Sequence, residues 1–192
     1  MPDPSSMSTA DDLTTKPLAH LTVVCGPMFA GKTTKVIELL NRHRALNRSI
    51  QVAKPHIDTR YHPTDIATHD GHTYPAVAIT SPEELLELTD AQVVALDEAH
   101  FYRDGLLDAV RAMLDRGQIL ILAGLDRTSL NEPFAEMAGL LIEADEVIKL
   151  AGVCAICGRP AIHTIRLFDS TEDIVVGGEG MFENRCREHL ER

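Results

Sequence analysis

Residues 26–33, Gly-Pro-Met-Phe-Ala-Gly-Lys-Thr, fit GxxxxGK[ST] without a mismatch, and this run restricts the fold more than any other. A short β-branched apolar segment, residues 20–25, precedes it, and the apolar spacing of Val36, Leu39 and Leu40 after it predicts a helix. Strand, glycine turn and helix in that order make a cradle for phosphate groups. Glycine lets backbone N–H groups curl around the anion, Lys32 supplies positive charge to β/γ oxygens, and the Thr33 hydroxyl is set to bind Mg²⁺. A chance glycine turn beside a solvated lysine leaves the flanking pattern unexplained.

The rest of the first 150 positions repeats strand and helix signals. A second short strand is predicted at 50–53, followed by a His-, Asp- and Thr-rich stretch, 56–73, that reads as a polar functional loop outside the core. Ser81, Pro82 and Glu84 spell a capping box with proline at the first helical position, opening a short helix with Leu85, Leu86 and Leu88. Residues 92–96 read as a buried strand. Asp104 is predicted to cap a helix carrying Leu106, Leu107, Val110, Met113 and Leu114, which Gly117 ends, and 118–123 is a continuous apolar strand. Strands alternating with helices call for an α/β domain with a mostly parallel sheet covered on both faces.

The segment Val93-Val94-Ala95-Leu96-Asp97-Glu98 is an apolar strand ending in two acids. Behind a phosphate loop, that is where a metal-facing Asp97 and a proton-accepting Glu98 belong. Taken alone, the pair is equally compatible with capping a turn. Asp97-Glu98-Ala99-His100 also spells the DEAH signature of nucleic-acid helicases, an alternative function in which the chain is a nucleic-acid-stimulated ATPase or a nucleotide-gated binding module. Such motors clamp nucleotide between two lobes of about 150 residues each. A 192-residue chain is too short for two of them.

Eighteen Lys and Arg against 29 Asp and Glu give a net charge of −11, which repels a phosphate backbone and argues against nucleic acid as a partner. The longest strongly apolar run, 119–123, is far shorter than the about 20 residues a membrane span needs. Residues 1–17, rich in Pro, Ser, Thr and Asp, lack the basic start and apolar stretch of a secretory signal and read as a flexible tail. Cys154, Cys157, Cys186 and His189 lie near the C-terminus as Cys-x-x-Cys and Cys-x-x-His, two short pairs of the kind a closed tetrahedral Zn²⁺ site requires. Thiols used in this way fit a reducing, cytoplasmic setting better than a disulfide framework. The pattern therefore divides into a tail (1–17), an α/β domain (18–150) and a zinc-stapled segment (151–192).

Between the zinc pairs, residues 175–182 form a glycine-rich run ending in Phe182. Glycine permits close backbone approach to a ligand, and Phe101, Phe134 and Phe182 together offer flat faces for a base-sized slot, although each singly is ordinary core filler.

These residues resemble the type II thymidine kinases, zinc-containing deoxynucleoside kinases built on a P-loop NTPase (RecA-like) domain with a small C-terminal zinc-binding lasso domain. The likeness runs from about Leu21 to His189. It takes in the phosphate loop with Thr34, Lys54-Pro55 with Asp58-Thr59-Arg60, and Thr68-His69-Asp70. It continues through the DEAxF segment, Leu125-Asp126 with Pro133-Phe134, residues 147–150 before CxxC, and VVGG before CRxH. The resemblance implies transfer of the γ-phosphoryl of ATP, with Mg²⁺, to the 5′-hydroxyl of thymidine or a close pyrimidine deoxynucleoside, Glu98 being the general base. It implies ATP contacts along Gly26, Pro27, Met28, Phe29, Ala30, Gly31, Lys32, Thr33 and Thr34 and along Asp97, Glu98, Ala99 and His100. Asp58 and Arg60 match positions near the phosphates and metal, and Phe101, Phe134 and Phe182 match the aromatic cage. Val176, Gly177 and Gly178 belong to the lasso that hydrogen-bonds the base. A homotetramer and feedback inhibition by thymidine triphosphate are family expectations. Three positions depart from the family pattern: His100 stands for Gln, Phe182 for Tyr, and Ser129 for an aromatic. A phenol lost at 182 removes one hydrogen bond, worth about 0.5–1.5 kcal/mol net.

Overall fold

The computed structural model describes residues 18–58, 65–68, 71–134, 136–169 and 180–190. The tail, Thr59, Arg60, His69, Asp70, Val176, Gly177 and Gly178 lie outside the described residues. The chain starts with β1 (His20–Cys25), crosses the phosphate loop into α1 (Lys32–Ala45), and returns as β2 (Ile50–Pro55). A hairpin of β3 (Asp65–Ala67) and β4 (Thr73–Pro75) precedes β5 (Val77–Ile79), a 3₁₀ turn at Pro82–Glu87, and β6 (Val93–Leu96). Then come a 3₁₀ turn at Ala99–Phe101, α2 (Leu106–Asp115), β7 (Ile119–Gly124), α3 (Met137–Glu143) and β8 (Glu146–Lys149). Six strands form one sheet in the order β5-β2-β6-β7-β1-β8, every pair parallel.

Alternation along each strand divides the core between the two faces. Leu21, Val23, Cys25, Leu96, Leu120 and Leu122 point towards α2 and α3, where they meet Leu106, Val110, Met113, Met137 and Leu140. Val24, Val52, Val93, Ala95, Ile119 and Ile121 meet Val36, Leu39 and Leu40 of α1 on the other face. Strands covered on both sides have no polar face to present, which is why β6 and β7 read as unbroken apolar runs.

Two local expectations are corrected. The stretch 56–73 is not simply a polar loop: it contains β3 and leads into β4, and Ile66 and Tyr74 from this hairpin are buried against the α1 face of the sheet. Arg44 lies over the Tyr74 ring, 4.6 Å from its centroid, fixing the hairpin to α1. Asp104 does not cap α2. The N-cap is Gly105 at φ 85°, a left-handed position that suits glycine, and the orphan N–H groups of Leu106 and Leu107 donate to Glu136 Oε2 at 2.6 and 3.1 Å. The capping box at Ser81 and Glu84 forms as read, although the helix it opens is a single 3₁₀ segment.

Beyond β8 the chain builds two small antiparallel ladders. One pairs β9 (Gly152–Val153) with β10 (Pro160–Ala161), and the other pairs β11 (His163–Arg166) with β12 (Phe182–Arg185). Among the described residues their shared core is Cys154, Ala161 and Cys186. Among the described residues no helix is long and apolar enough to cross a membrane.

The non-local cap gives a stability test. Glu136→Ala leaves two N–H groups at a buried helix start unpaired and is expected to lower unfolding stability by about 1–2 kcal/mol, whereas Asp104→Ala changes it by less than about 0.5 kcal/mol. Urea midpoints of the two variants check this, and equal effects would return the cap to Asp104.

Candidate active site and metal cluster

The phosphate loop leaves β1 at Gly26, whose φ is 143°; a Cβ there would sit 2.4 Å from the Leu150 carbonyl oxygen, so the chain just after β8 packs directly on the glycine backbone. The loop passes through Phe29 at φ 58° and Gly31 at φ 80° before α1 begins at Lys32. A non-glycine residue held left-handed costs roughly 1–2 kcal/mol, so Phe29 is strained by its surroundings. Lys32 Nζ donates to the Pro27 carbonyl at 2.8 Å and is nearly buried, which keeps the ammonium over the loop. The first turn of α1 contains no acidic residue, so the partial positive charge of the helix start is uncancelled there.

A side-chain hydrogen bond joins the loop to the acid strand. Thr33 Oγ1 donates to Asp97 Oδ2 at 2.8 Å, and the Glu98 N–H donates to Asp97 Oδ1 at 3.0 Å. Burial, reinforced by the neighbouring Glu98 carboxylate, pushes the Asp97 carboxyl up to about 7, against the opposing pull of the Thr33 hydroxyl. Glu98 is itself left-handed, at φ 52°, and this turns the chain off the end of β6. Its Oε2 lies 3.4 Å from His100 Nδ1, and the same nitrogen lies 3.3 Å from the Leu125 N–H. One ring nitrogen cannot serve both as donor and as acceptor. The Leu125 N–H can only donate, so Nδ1 accepts from it, in a ring buried between Phe101 and Phe134.

Phe101 and Phe134 both pack on His100, with centroids 4.5 and 4.7 Å away. Phe182 sits on β12 and makes an edge-on contact with Phe168 at 5.7 Å. Asp58 is buried in the turn after β2, where its N–H donates to the Pro55 carbonyl at 2.9 Å. A cleft of about 390 Å³ opens between Ser129-Leu130 and the β11/β12 ladder, with Ile165, Arg166, Phe168 and Arg185 on its walls. The predicted aromatic set thus falls into a His100-centred group and a Phe168–Phe182 pair. Phe168, Thr164 and Asn184 are absent from the sequence expectation. Thr164 and Asn184 reach the loop itself: Thr164 Oγ1 accepts from the Met28 N–H at 3.0 Å, and Asn184 Nδ2 donates to the Met28 carbonyl at 2.7 Å.

Cys154, Cys157, Cys186 and His189 converge, with one ligand atom of each within 4.8 Å of the others. The Cys157 and Cys186 sulfurs are 3.8 Å apart, and His189 Nδ1 lies 3.7 Å from Cys154 Sγ and 3.2 Å from Cys186 Sγ. Metal–sulfur bonds of about 2.3 Å in a tetrahedron place two sulfurs about 3.8 Å apart, so the set has the size of a metal site. Burial raises the Cys154 thiol, but backbone groups of Cys186, Cys157 and Ile156 outweigh it and bring the thiol down to about 6, favouring thiolate. Arg159 Nε donates to Cys157 Sγ at 3.4 Å while its guanidinium pairs with Glu188, so the exposed sulfur faces a cation.

A family model described as thymidine kinase matches residues 19–190. A thymidine kinase from Rhodothermus sp. is 38% identical over 86% of this chain and 78% of its own length. One from Bacteroides thetaiotaomicron is 35% identical over 91% and 88%. Among solved structures, the genome packaging NTPase B204 from Sulfolobus turreted icosahedral virus 2, in complex with ATP-gammaS, is similar at a TM-score of 0.46. That match has 15% identity and covers 68% of this chain and 74% of the other.

The cluster predicts a tightly held metal. Purified chain is expected to carry one ion, and stripping it with a chelator lowers the melting temperature by roughly 10 °C or more, because so small a core cannot hold β9–β12 alone. Elemental analysis paired with a thermal melt checks this; an unchanged melt after removal would make the ion dispensable.

Proposed function

The chain belongs to the thymidine kinase family, and from that premise we propose that it transfers the γ-phosphoryl of ATP to the 5′-hydroxyl of thymidine or a close pyrimidine deoxynucleoside. The observation that carries this reading is the 2.8 Å bond from Thr33 to Asp97, which joins a phosphate loop to the strand whose next residue is Glu98. In the proposed step the loop N–H groups and Lys32 hold the phosphates, Arg60 and Asp58 act beside them, and Glu98 accepts the proton of the attacking hydroxyl. The left-handed backbone at Glu98 turns the chain off the end of β6, and Asp97 before it is held by two hydrogen bonds. The ATP contacts would run along Gly26–Thr34 and Asp97–His100.

Two metals belong to the proposal. Octahedral Mg²⁺ with bonds of about 2.1 Å places adjacent oxygen ligands about 3 Å apart. The Thr33 and Asp97 oxygens, 2.8 Å apart, fit that demand. Bound there with ATP, Mg²⁺ would neutralise charge on the β- and γ-phosphates. The Cys₃His set fits Zn²⁺ by softness, number and spacing, and with four protein ligands it leaves no position for substrate, so the ion is structural.

Phe101 and Phe134 with His100, together with Phe182 and the backbone at Val176, Gly177 and Gly178, form the proposed nucleoside side of the site. A homotetramer, inhibition by thymidine triphosphate and a cytoplasmic address complete the reading as family expectations.

Glu98→Gln is expected to lose about 10²–10⁴-fold in kcat with ADP affinity within about twofold of the parent. Assays with ATP and thymidine, deoxyuridine, deoxycytidine or single-stranded DNA separate the readings. Nucleoside monophosphate supports the kinase, whereas phosphate release that depends on DNA would replace it with a nucleic-acid-stimulated ATPase.

A further inference from the structure

The phosphate loop is not held by the α/β domain alone. The backbone of Met28 is gripped at both its polar groups from β11 and β12: its N–H donates to Thr164 Oγ1 at 3.0 Å, and its carbonyl accepts from Asn184 Nδ2 at 2.7 Å. The Thr164 hydroxyl donates in turn to Asn184 Oδ1 at 3.3 Å, closing a ring of three hydrogen bonds. Thr164 and Asn184 are cross-strand partners, 6% and 5% exposed, so this ring is shielded from water. Asn184 has little freedom to leave. A Cβ on Gly152 would lie 2.2 Å from its Nδ2, and its carbonyl accepts from the Ala155 N–H at 2.9 Å, inside the turn between Cys154 and Cys157.

The residue after Met28 is Phe29, held left-handed at φ 58°. With the Met28 peptide free, that residue relaxes towards negative φ, and the N–H groups beyond it turn away from the phosphate. We propose that Asn184 is a positioning residue of the phosphate site, acting through the Met28 peptide to keep the loop in its phosphate-binding shape. This rests on the phosphate-site reading given above. It makes the C-terminal module a support for the nucleotide as well as a cover for the nucleoside.

The test uses the full chain, with ADP affinity measured by calorimetry, steady-state KM for both substrates, and metal content. Asn184→Ala is expected to weaken ADP binding about five- to tenfold, the worth of one buried hydrogen bond, and to raise KM for ATP equally. KM for thymidine moves less than about twofold and metal content stays at the parent value. Asn184→Asp keeps the shape but cannot donate to the Met28 carbonyl, and it is expected to act in the same direction. Gly152→Ala weakens ADP binding in the parent and adds nothing to Asn184→Ala, because the atom its Cβ strikes is gone; it also decides the matter should neither Asn184 variant fold. ADP affinities within twofold of the parent overturn the inference, as does a loss that tracks loss of metal or an equal rise in KM for thymidine. A parent chain that fails to bind ADP overturns the phosphate-site reading itself, whereas a binding parent with unaffected variants removes Asn184 alone.

Discussion

The bond from Thr33 to Asp97 spans two strands that are not neighbours. β7 lies between β1 and β6, so a loop at the end of the first and an acid at the end of the third meet only if the connections after both strands turn inwards over β7. Parallel strands make this possible by bringing their carboxyl ends to one edge, where ligands of open α/β sheets gather. β7 accommodates the meeting by ending in Gly124, where a Cβ would come within 3.1 Å of the His100 backbone nitrogen and 3.0 Å of the Met137 sulfur. The left-handed residues Phe29 and Glu98 occur in the two connections that make this inward turn. Their strain is a local cost offset by the buried sheet beneath them.

The C-terminal module stands in a different energetic position. Among the described residues its core of three side chains supplies little hydrophobic stabilisation, and its ladders are two to four residues long. A segment of that size needs a cross-link, and the Cys₃His cluster has the right dimensions for one. Order imposed there passes by covalent and hydrogen-bonded steps from Cys154 through Ala155 to Asn184, and from Asn184 to Met28. The phosphate loop is thus braced from below by Leu150 packed on Gly26 and from the side by the β11/β12 ladder.

What the sequence made legible follows from how far each signal reaches along the chain. β1, α1, β6, α2 and β7 carry apolar periods over several residues; the strands and α2 lie within a residue or two of their expected places, and α1 contains the Val36, Leu39 and Leu40 stripe. The phosphate loop and the two Cys/His pairs are legible for a related reason, since their spacing is itself the chemistry. The hairpin of β3 and β4 escaped because three-residue strands show no period, and its two buried side chains, Ile66 and Tyr74, are separated by polar residues. Asp104 matched a local capping rule, but the acceptor actually used, Glu136, comes from 30 positions away. Thr164 and Asn184 carry no local mark at all, because a polar residue in a short ladder looks solvated until the partner loop is in place.

At the proposed nucleoside side, the departures from the family pattern can be set against the packing around each. At position 182 a phenol would bring a hydroxyl that needs a partner when buried. Phe182 is 8% exposed and meets the edge of Phe168, an apolar neighbour that a plain ring suits. At position 100 an imidazole lies between Phe101 and Phe134, where its flat face packs as an aromatic and its Nδ1 accepts from Leu125. Ser129 is the uncompensated member of the three: its hydroxyl is buried without a hydrogen-bond partner among the described residues, and it lies on the wall of the 390 Å³ cleft. A ring at that position would fill part of the cleft and bury no orphan oxygen. With Ser129 there instead, that part of the cleft wall carries a small side chain whose oxygen is buried without a partner among the described residues.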